Sequence, residues 1–576
     1  MSDATMKKTT TMAKRNERAR TDAAAAVAMG AALLVVGGAG CLQILGDDAT
    51  FVLGTGGAGG AGGAGGESGG AGGAGGTGNT GGAGGTTSST GVCEPGQMQS
   101  CYTGPDGTEG VGECKAGTET CQEDGAGWGA CQDPTTPKPE TCEFETDEDC
   151  DSYDCARWSL ASGGEGVLLP LGMQTDSAGN LVVFGAAIGT PMLGPDTLDA
   201  TANGPLFLAK FSPIGEVLWT KSFGGAALND NFNATNDGLA IDANDNILIT
   251  GTFEGTANCG GGALTADGED FFVAKFTPGG IHAWSKRFGG AMDQEVWQIV
   301  SATGGDVLVT GTFANGFVIG GNFTSGSGAF VARLASSDGD VVSVLSVDPL
   351  GSQYVDPVLA AGPENTWALA GRCADGAFIE GETLTSCANF VVKFGSDDVP
   401  QWATNIPTGN TRQIRLDSQG GLVFLHDFLG TIDIGTGPLD SAGSWDLLVG
   451  RLAAEDGAPV WARVFGGPGD NEYGQLALDD QNRIFVTITT TDSIDFGGGL
   501  LPGAGLGDLF VLALDAEGLH RWSRVFGDAT SQLGDRVAVR PDGSGLFVSV
   551  LTEGEIDFGT GVQSSSSLLS LAELGP

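Results

Sequence analysis

The chain has 576 residues, 101 of them glycine, and 26 Lys+Arg against 71 Asp+Glu leave a formal net charge of -45. A surface this acidic repels phosphate backbones and anionic lipid, which argues against nucleic-acid binding and against membrane adhesion by the folded body. The length allows several domains or one large β domain.

In chain order, the first predicted element is an export leader. Lys7, Lys8, Lys14, Arg15, Arg18 and Arg20 precede the apolar run "AAAAVAMGAALLVV" (Ala23 to Val36). That run is short for a membrane span and suits a signal-peptide core. Small residues "GGAG" then lead to Cys41. The pattern resembles a bacterial lipoprotein signal, and the resemblance implies that Cys41 carries the lipid anchor. An ordinary cleaved signal peptide and an uncleaved anchor stay open, as does a start at Met6 or Met12. From Gly54 to Val92 the chain repeats glycine, alanine and small polar residues. Nothing there can form a core, so residues 42–92 are expected to be a disordered tether, in which the coil from Gly54 to Val92 spans about 35 Å on average.

Residues 93–155 hold Cys93, Cys101, Cys114, Cys121, Cys131, Cys142, Cys150 and Cys155 among glycine, threonine and acids. So little apolar matter cannot hold a core unaided, so disulfide staples in an oxidising compartment are expected. The spacing selects no connectivity. Zinc is the competing reading, but it prefers close CxxC-type pairs and histidine, which this segment lacks. Within "TDEDCDSYDC", Asp147, Asp149 and Asp151 alternate and Asp154 follows, which can aim successive oxygens at one Ca2+. The bland alternative is an acidic linker pinned by a disulfide. The segment resembles the "ETCD…DNDCDG" motif of bacterial surface proteins labelled as metal-binding, which implies the same cation role. No other cofactor is indicated.

From residue 156 the sequence repeats. Trp158, Trp219, Trp284, Trp402, Trp461 and Trp522 recur at about 60 residues, with one doubled gap where "DVVSVLSVDPL" stands in for a tryptophan segment. Each unit reads as an apolar strand ("GLAI"), a polar turn ("DANDN"), a second strand ("ILITGTF"), a variable loop, a third strand ("FFVAKF") and a tryptophan strand ("HAWSKRF"). Seven sets of the first three strands occur. The strand around Trp158 comes before any unit it could complete, and the last unit, ending near Leu574, has no fourth strand of its own. The expectation is therefore an all-β fold: a seven-bladed β-propeller spanning 156–576, of four-stranded antiparallel blades, its last blade closed by the N-terminal strand. The units resemble the SBBP type of bacterial propeller repeat, which implies this fold and a surface location, and little chemistry.

Candidate sites follow from the repeat. Acid or serine followed by amide recurs after the tryptophan strands: Asp230-Asn231, Asp293-Gln294, Ser352-Gln353, Asp470-Asn471 and Ser531-Gln532. These pairs are expected to form a polar ring at one channel mouth, either capping backbone amides or binding a polar ligand. His282 and His520 share one repeat position and read as scaffold. His426-Asp427 replaces the Gly-Thr of "TGTF" and is the single visible break that could serve catalysis. Cys373 and Cys387 flank one loop and could pair; Cys259 takes the place of an aromatic and should be buried. No catalytic motif is present. The leading expectation is a non-enzymatic lipoprotein at the outer membrane or cell surface, or else secreted, whose propeller binds a protein or polysaccharide and meets membrane only through its anchor. A propeller hydrolase or lyase and a structural envelope component are the alternatives.

Overall fold

The computed structural model describes residues 93–104, 108–110, 113–138, 156–200, 204–224, 237–314, 316–324, 327–347, 356–373, 378–379, 382–383, 388–469, 471, 474–552, 554–565 and 568–575. They divide into two units. In the first, the Cys93–Cys121 disulfide joins 93–97 to 121–129, and the Cys121 N–H donates to Gln97 O at 2.8 Å. The second carries a small ribbon, Met98–Cys101 with Gly117–Thr120, the Cys101–Cys131 disulfide, and seven antiparallel blade sheets of four strands, one of them with the two-residue strand Asp196–Thr197 added.

These sheets are the expected blades. Blade 1 consists of Gly163–Thr175, Leu181–Leu193, Leu206–Phe211 and Val217–Phe223. Blades 2 to 6 start at Leu239, Gln294, Val358, Asn410 and Gln475. Blade 7 runs Gln532–Val539, Leu546–Thr552 and Leu569–Leu574, and its outer strand is Ala156–Ala161. Trp158 lies opposite Glu573, so the strand that stands in front of the repeats does complete the last one.

The strand chemistry explains the ring. Second and third strands such as Ile247–Phe253 and Asp270–Phe276 are buried at every position. Strands that bury both faces need a sheet on each side, unlike a half-exposed antiparallel sheet. Accordingly the core is seven separate apolar clusters, each drawn from two neighbouring blades, and the cluster holding Leu168, Phe207, Phe547 and Leu571 joins blade 7 to blade 1. The innermost strands touch in order around the axis, and Thr175 Oγ1 donates to Val539 O at 2.6 Å across the closing seam.

The recurring tryptophans join adjacent blades. Five of the six, all but Trp522, pack the indole on the hairpin turn of the following blade, where a glycine with positive φ makes room. A Cβ on Gly215, Gly339 or Gly457 would come 2.6 Å from the ring of Trp158, Trp284 or Trp402. Trp284 and Trp402 also donate Nε1–H to Ser336 O and Ala454 O in those turns, both at 3.0 Å. Where the tryptophan is missing, at Ser343, the turn glycine is missing as well. Asp398 stands there with φ of 62° and accepts from Ser343 Oγ at 3.0 Å and Arg333 Nε at 3.1 Å. A buried indole contact is thus exchanged for a polar one.

The second-to-third-strand loops are more ordered than a variable contact loop would be. In blades 2 to 7 each contains a short ribbon, for example Ile494–Asp495 with Leu500–Leu501. The ribbon tip is an Asx-turn: Asp495 Oδ1 accepts from Gly497 N at 2.7 Å and Gly499 N at 3.0 Å, and Asp433, Asp557 and Asn258 repeat it. The next side chain, Phe496, Phe558 or Cys259, is buried. Cys259 is therefore the expected interior thiol, and burial pushes it up to about 12. Cys373 is disulfide-bonded, while Cys387 lies outside the described residues.

Candidate functional site: crossing mouth and axial channel

Strands alternate direction, so the second-to-third-strand loops and the blade-to-blade crossings share one end of the ring. Gln294 and Gln532 open the inner strands of blades 3 and 7 at that end and are buried. Gln294 Oε1 accepts from Gly290 N and Gln532 Oε1 from Asp528 N, each at 3.0 Å. Asn471 holds the equivalent crossing into blade 6, donating from Nδ2 to Asp446 Oδ1 and Gly469 O at 3.2 Å. Asp293 is exposed and accepts from Glu269 N at 3.3 Å, while Ser531 is half-buried and forms a parallel bridge with Gly507. Three of the crossing amides thus bond their own loops. Asp230, Asn231, Ser352, Gln353 and Asp470 lie outside the described residues, as do Cys41 and the candidate Ca2+ residues Asp147, Asp149, Asp151 and Asp154.

A second repeated group at this mouth escaped the sequence reading. Asp270, Asp446 and Asp508 begin third strands, are fully buried, and each caps its loop; Asp446 Oδ2 accepts from Ala442 N at 2.6 Å. Burial holds all three carboxyls above their ordinary range. Their sequence signal was an acid directly before an apolar run ("EDFFV", "WDLLV", "GDLFV"). Beside the first of them, burial and then the neighbouring Glu295, Asp293 and Glu254 push the Glu269 carboxyl up to about 7.

The mouth is not sevenfold in charge. At the repeat position of Thr252, Thr312 and Thr489, blade 4 carries Arg372 and blade 5 carries Asp427. Asp427 is fully buried and accepts from Arg412 Nε at 2.9 Å. His426 is equally buried, with Nδ1 at 3.2 Å from Thr411 Oγ1 and Nε2 against Thr408 O. Burial, opposed by Asp427, lowers the imidazole to about 4, which keeps it neutral. His426 and Asp427 face different partners, so no His–Asp relay is assembled. His282 and His520 make one scaffold contact twice, Nε2 to Ser285 or Ser523 Oγ at 3.0 Å. Among the described residues no group of three or more His, Cys, Asp or Glu is placed to hold a metal ion.

Inside the ring, the channel wall mixes seams and breaks. Gln298 Oε1 accepts from Leu359 N at 2.6 Å and Gln413 Oε1 from Leu476 N at 2.7 Å, each reaching the next inner strand. Asp237, just before the inner strand of blade 2, faces Arg415 of blade 5 with 3.8 Å between Oδ2 and Nη2. Burial pushes the Asp237 carboxyl up to about 6, opposed by Arg415 and Arg536. Nothing local in the sequence joins these three residues.

No protein-family model matches the chain, and no curated protein matches it. Solved structures with a similar fold include BamB from Moraxella catarrhalis, at 11% identity over 72% of this chain and 99% of that one, TM-score 0.34. U3-55K is similar at 12% identity over 72% and 98%, TM-score 0.38. Quinohemoprotein alcohol dehydrogenase from Comamonas testosteroni is similar at 10% over 73% and 76%, TM-score 0.36.

Proposed function

We propose that this chain is an exported binding protein, anchored at the cell surface through Cys41 and presenting the propeller on a glycine-rich tether. The crossing mouth takes a polar partner, a protein or a surface polysaccharide, and no bond is made or broken there. The observation that carries this reading is the uneven charge of a mouth whose backbone is regular. Glu254, Glu269, Asp293 and Glu295 gather where blades 2 and 3 meet, while Arg372 and Arg412 mark blades 4 and 5. A repeated scaffold that departs from its pattern in charge, and that shows no accessible nucleophile–base pair among the described residues, suits recognition better than turnover. The ribbons, being tied down by shared Asx-turns, serve as frame more than as contact surface.

Binding of the full chain to an oligolysine peptide and to a glycan array tests the mouth. Saturable binding to one of them, weakened about tenfold by Glu269→Gln with Glu295→Gln and unchanged by Asp338→Asn in a distant hairpin turn, is the expected result. Equal binding by all three proteins would remove the mouth from the proposal. Palmitate labelling that persists in Cys41→Ala would remove the anchor.

A further inference from the structure

The channel waist holds a pair that the scaffold does not require. Inner-strand positions align through their turn residues Asp242 and Asp417, which places Arg415 where the other blades carry Gln174, Ala240, Val300, Ala360, Ala477 and Ala538. Asp237 stands where blades 1, 3, 4, 5 and 6 carry Leu171, Trp297, Pro357, Arg412 and Gly474, and blade 7 carries Asp535 there. Blades 2 and 5 lie on opposite sides of the ring, so the two side chains meet across the axis.

Their meeting is incomplete. At 3.8 Å the guanidinium lies beyond hydrogen-bond reach of Asp237 Oδ2, and the hydrogen bond Arg415 does make runs from Nη1 to its neighbour Ile414 O at 2.9 Å. Asp237 is only 8% exposed. Gln174 and the Leu239 amide approach its carboxyl, yet Oδ1 has no hydrogen-bond partner among the described residues. Blade 1 closes the other side through Gly172, where a Cβ would come 3.1 Å from that same Oδ1. A buried carboxyl oxygen left without a close partner is costly, and an added partner there would relieve that cost. At this separation charge alone draws the guanidinium to the carboxyl, and its remaining N–H donors can turn to a group lying beside both.

We propose that the waist binds a small oxyanion, a carboxylate or a sulfate- or phosphate-like group, touching both the Arg415 guanidinium and the Asp237 carboxyl. Arg415 supplies charge and a planar fork of donors, and the Asp237 hydroxyl supplies one more donor at Oδ1. The groups facing Asp237 are Arg415, Arg536, Gln174 and the Leu239 amide, and its titration near 6 sets the direction. Below that pH the carboxyl is neutral and donates. Above it the carboxylate repels the ligand, so affinity falls as pH rises.

Calorimetric titration of the full chain with sulfate and with formate, ionic strength held by chloride, reads this directly. Saturable binding at pH 5 and at least about 50-fold weaker binding at pH 8 is expected from a gate at that pKa. The favoured anion distinguishes tetrahedral from planar ligands. Asp237→Asn keeps a neutral donor and should bind equally at both pH values. Arg415→Met should abolish binding, and Arg415→Lys, which keeps the charge without the fork, should weaken it while preserving the pH trend. Absence of saturable binding, a flat pH profile in the native chain, or full binding by a folded Arg415→Met would each overturn the site.

Discussion

Blade 2 and blade 7 use one framework with opposite polarity. In blade 2 the inner turn supplies the acid and the third strand the base: Asp242 caps its own turn and meets Lys275 at 2.8 Å. Blade 1 repeats this with Asp176 and Lys210 at 2.6 Å, and blade 5 with Asp417 and Arg451 at 2.8 Å. In blade 7 the signs are exchanged. Arg540 occupies the turn and Glu573 the strand, 2.7 Å apart. Glu573 then gathers what only this blade contains, accepting from Arg157 at 3.3 Å and from Trp158 Nε1 at 2.9 Å. Arg540 also reaches Pro213 O of blade 1 at 2.5 Å. An internal hairpin strand arrives by connectivity. A strand from the far end of the chain must be selected, and a fully buried carboxylate facing three donors marks its position. Burial holds Glu573 above its ordinary range against Arg540 and Arg157. Desolvation thus outweighs attraction, as expected where specificity is gained at some cost in stability.

The largest effect should come from breaking the circle itself. Removing residues 1–161 exposes the edge of Leu569–Leu574 and part of the blade 7 to blade 1 core, so cooperative unfolding should be lost and aggregation should appear. Calorimetry checks it, and a single sharp transition at the native temperature would contradict closure by this strand. Next, Glu573→Lys places a third cation beside Arg157 and Arg540, facing the Trp158 N–H, and should cost about 4 kcal/mol in urea unfolding. Adding Arg540→Asp restores the polarity of blade 2 and should recover about half, leaving Arg157 and Trp158 without their acceptor. Full recovery would show that polarity reversal has no addressing role. The smallest contrast concerns two tryptophans. Trp461 packs on Gly518 of the next hairpin turn, whereas blade 7 takes its outer strand from elsewhere and forms no such turn for Trp522. Trp522 Nε1 has no hydrogen-bond partner among the described residues, and Arg524 lies 4.8 Å over its ring. Trp461→Ala should therefore cost about 3 kcal/mol and Trp522→Ala about 1. Equal losses would mean that the turn contact contributes little.

Much of this comparison could be read beforehand. The spacing of tryptophans, the apolar second and third strands and the unpaired strand at Trp158 were enough for blade number and closure, because each blade is a local unit repeated with the same turns. The loss of the tryptophan at Ser343 is visible in "DVVSVLSVDPL", whereas its pairing with Asp398 in the next hairpin shows only in the fold. At the mouth, Gln294, Gln532 and Asn471 lie at the blade crossings, while the burial of Asp270, Asp446 and Asp508 comes from packing that an acid before an apolar run does not announce. His426 looked like an exception with chemical potential; in the fold its ring is fully buried and bonded to Thr411 and Thr408.

Periodicity by itself determined the architecture, since residues that bury both faces of every strand at a fixed period have few ways to do so other than a closed ring. It could not determine which odd residues would meet. Asp237 and Arg415 lie in different repeats and at different positions within them, and they face each other only because seven blades bring opposite inner strands to one axis. That encounter depends on the curvature and closure of the whole ring, a property of no single segment.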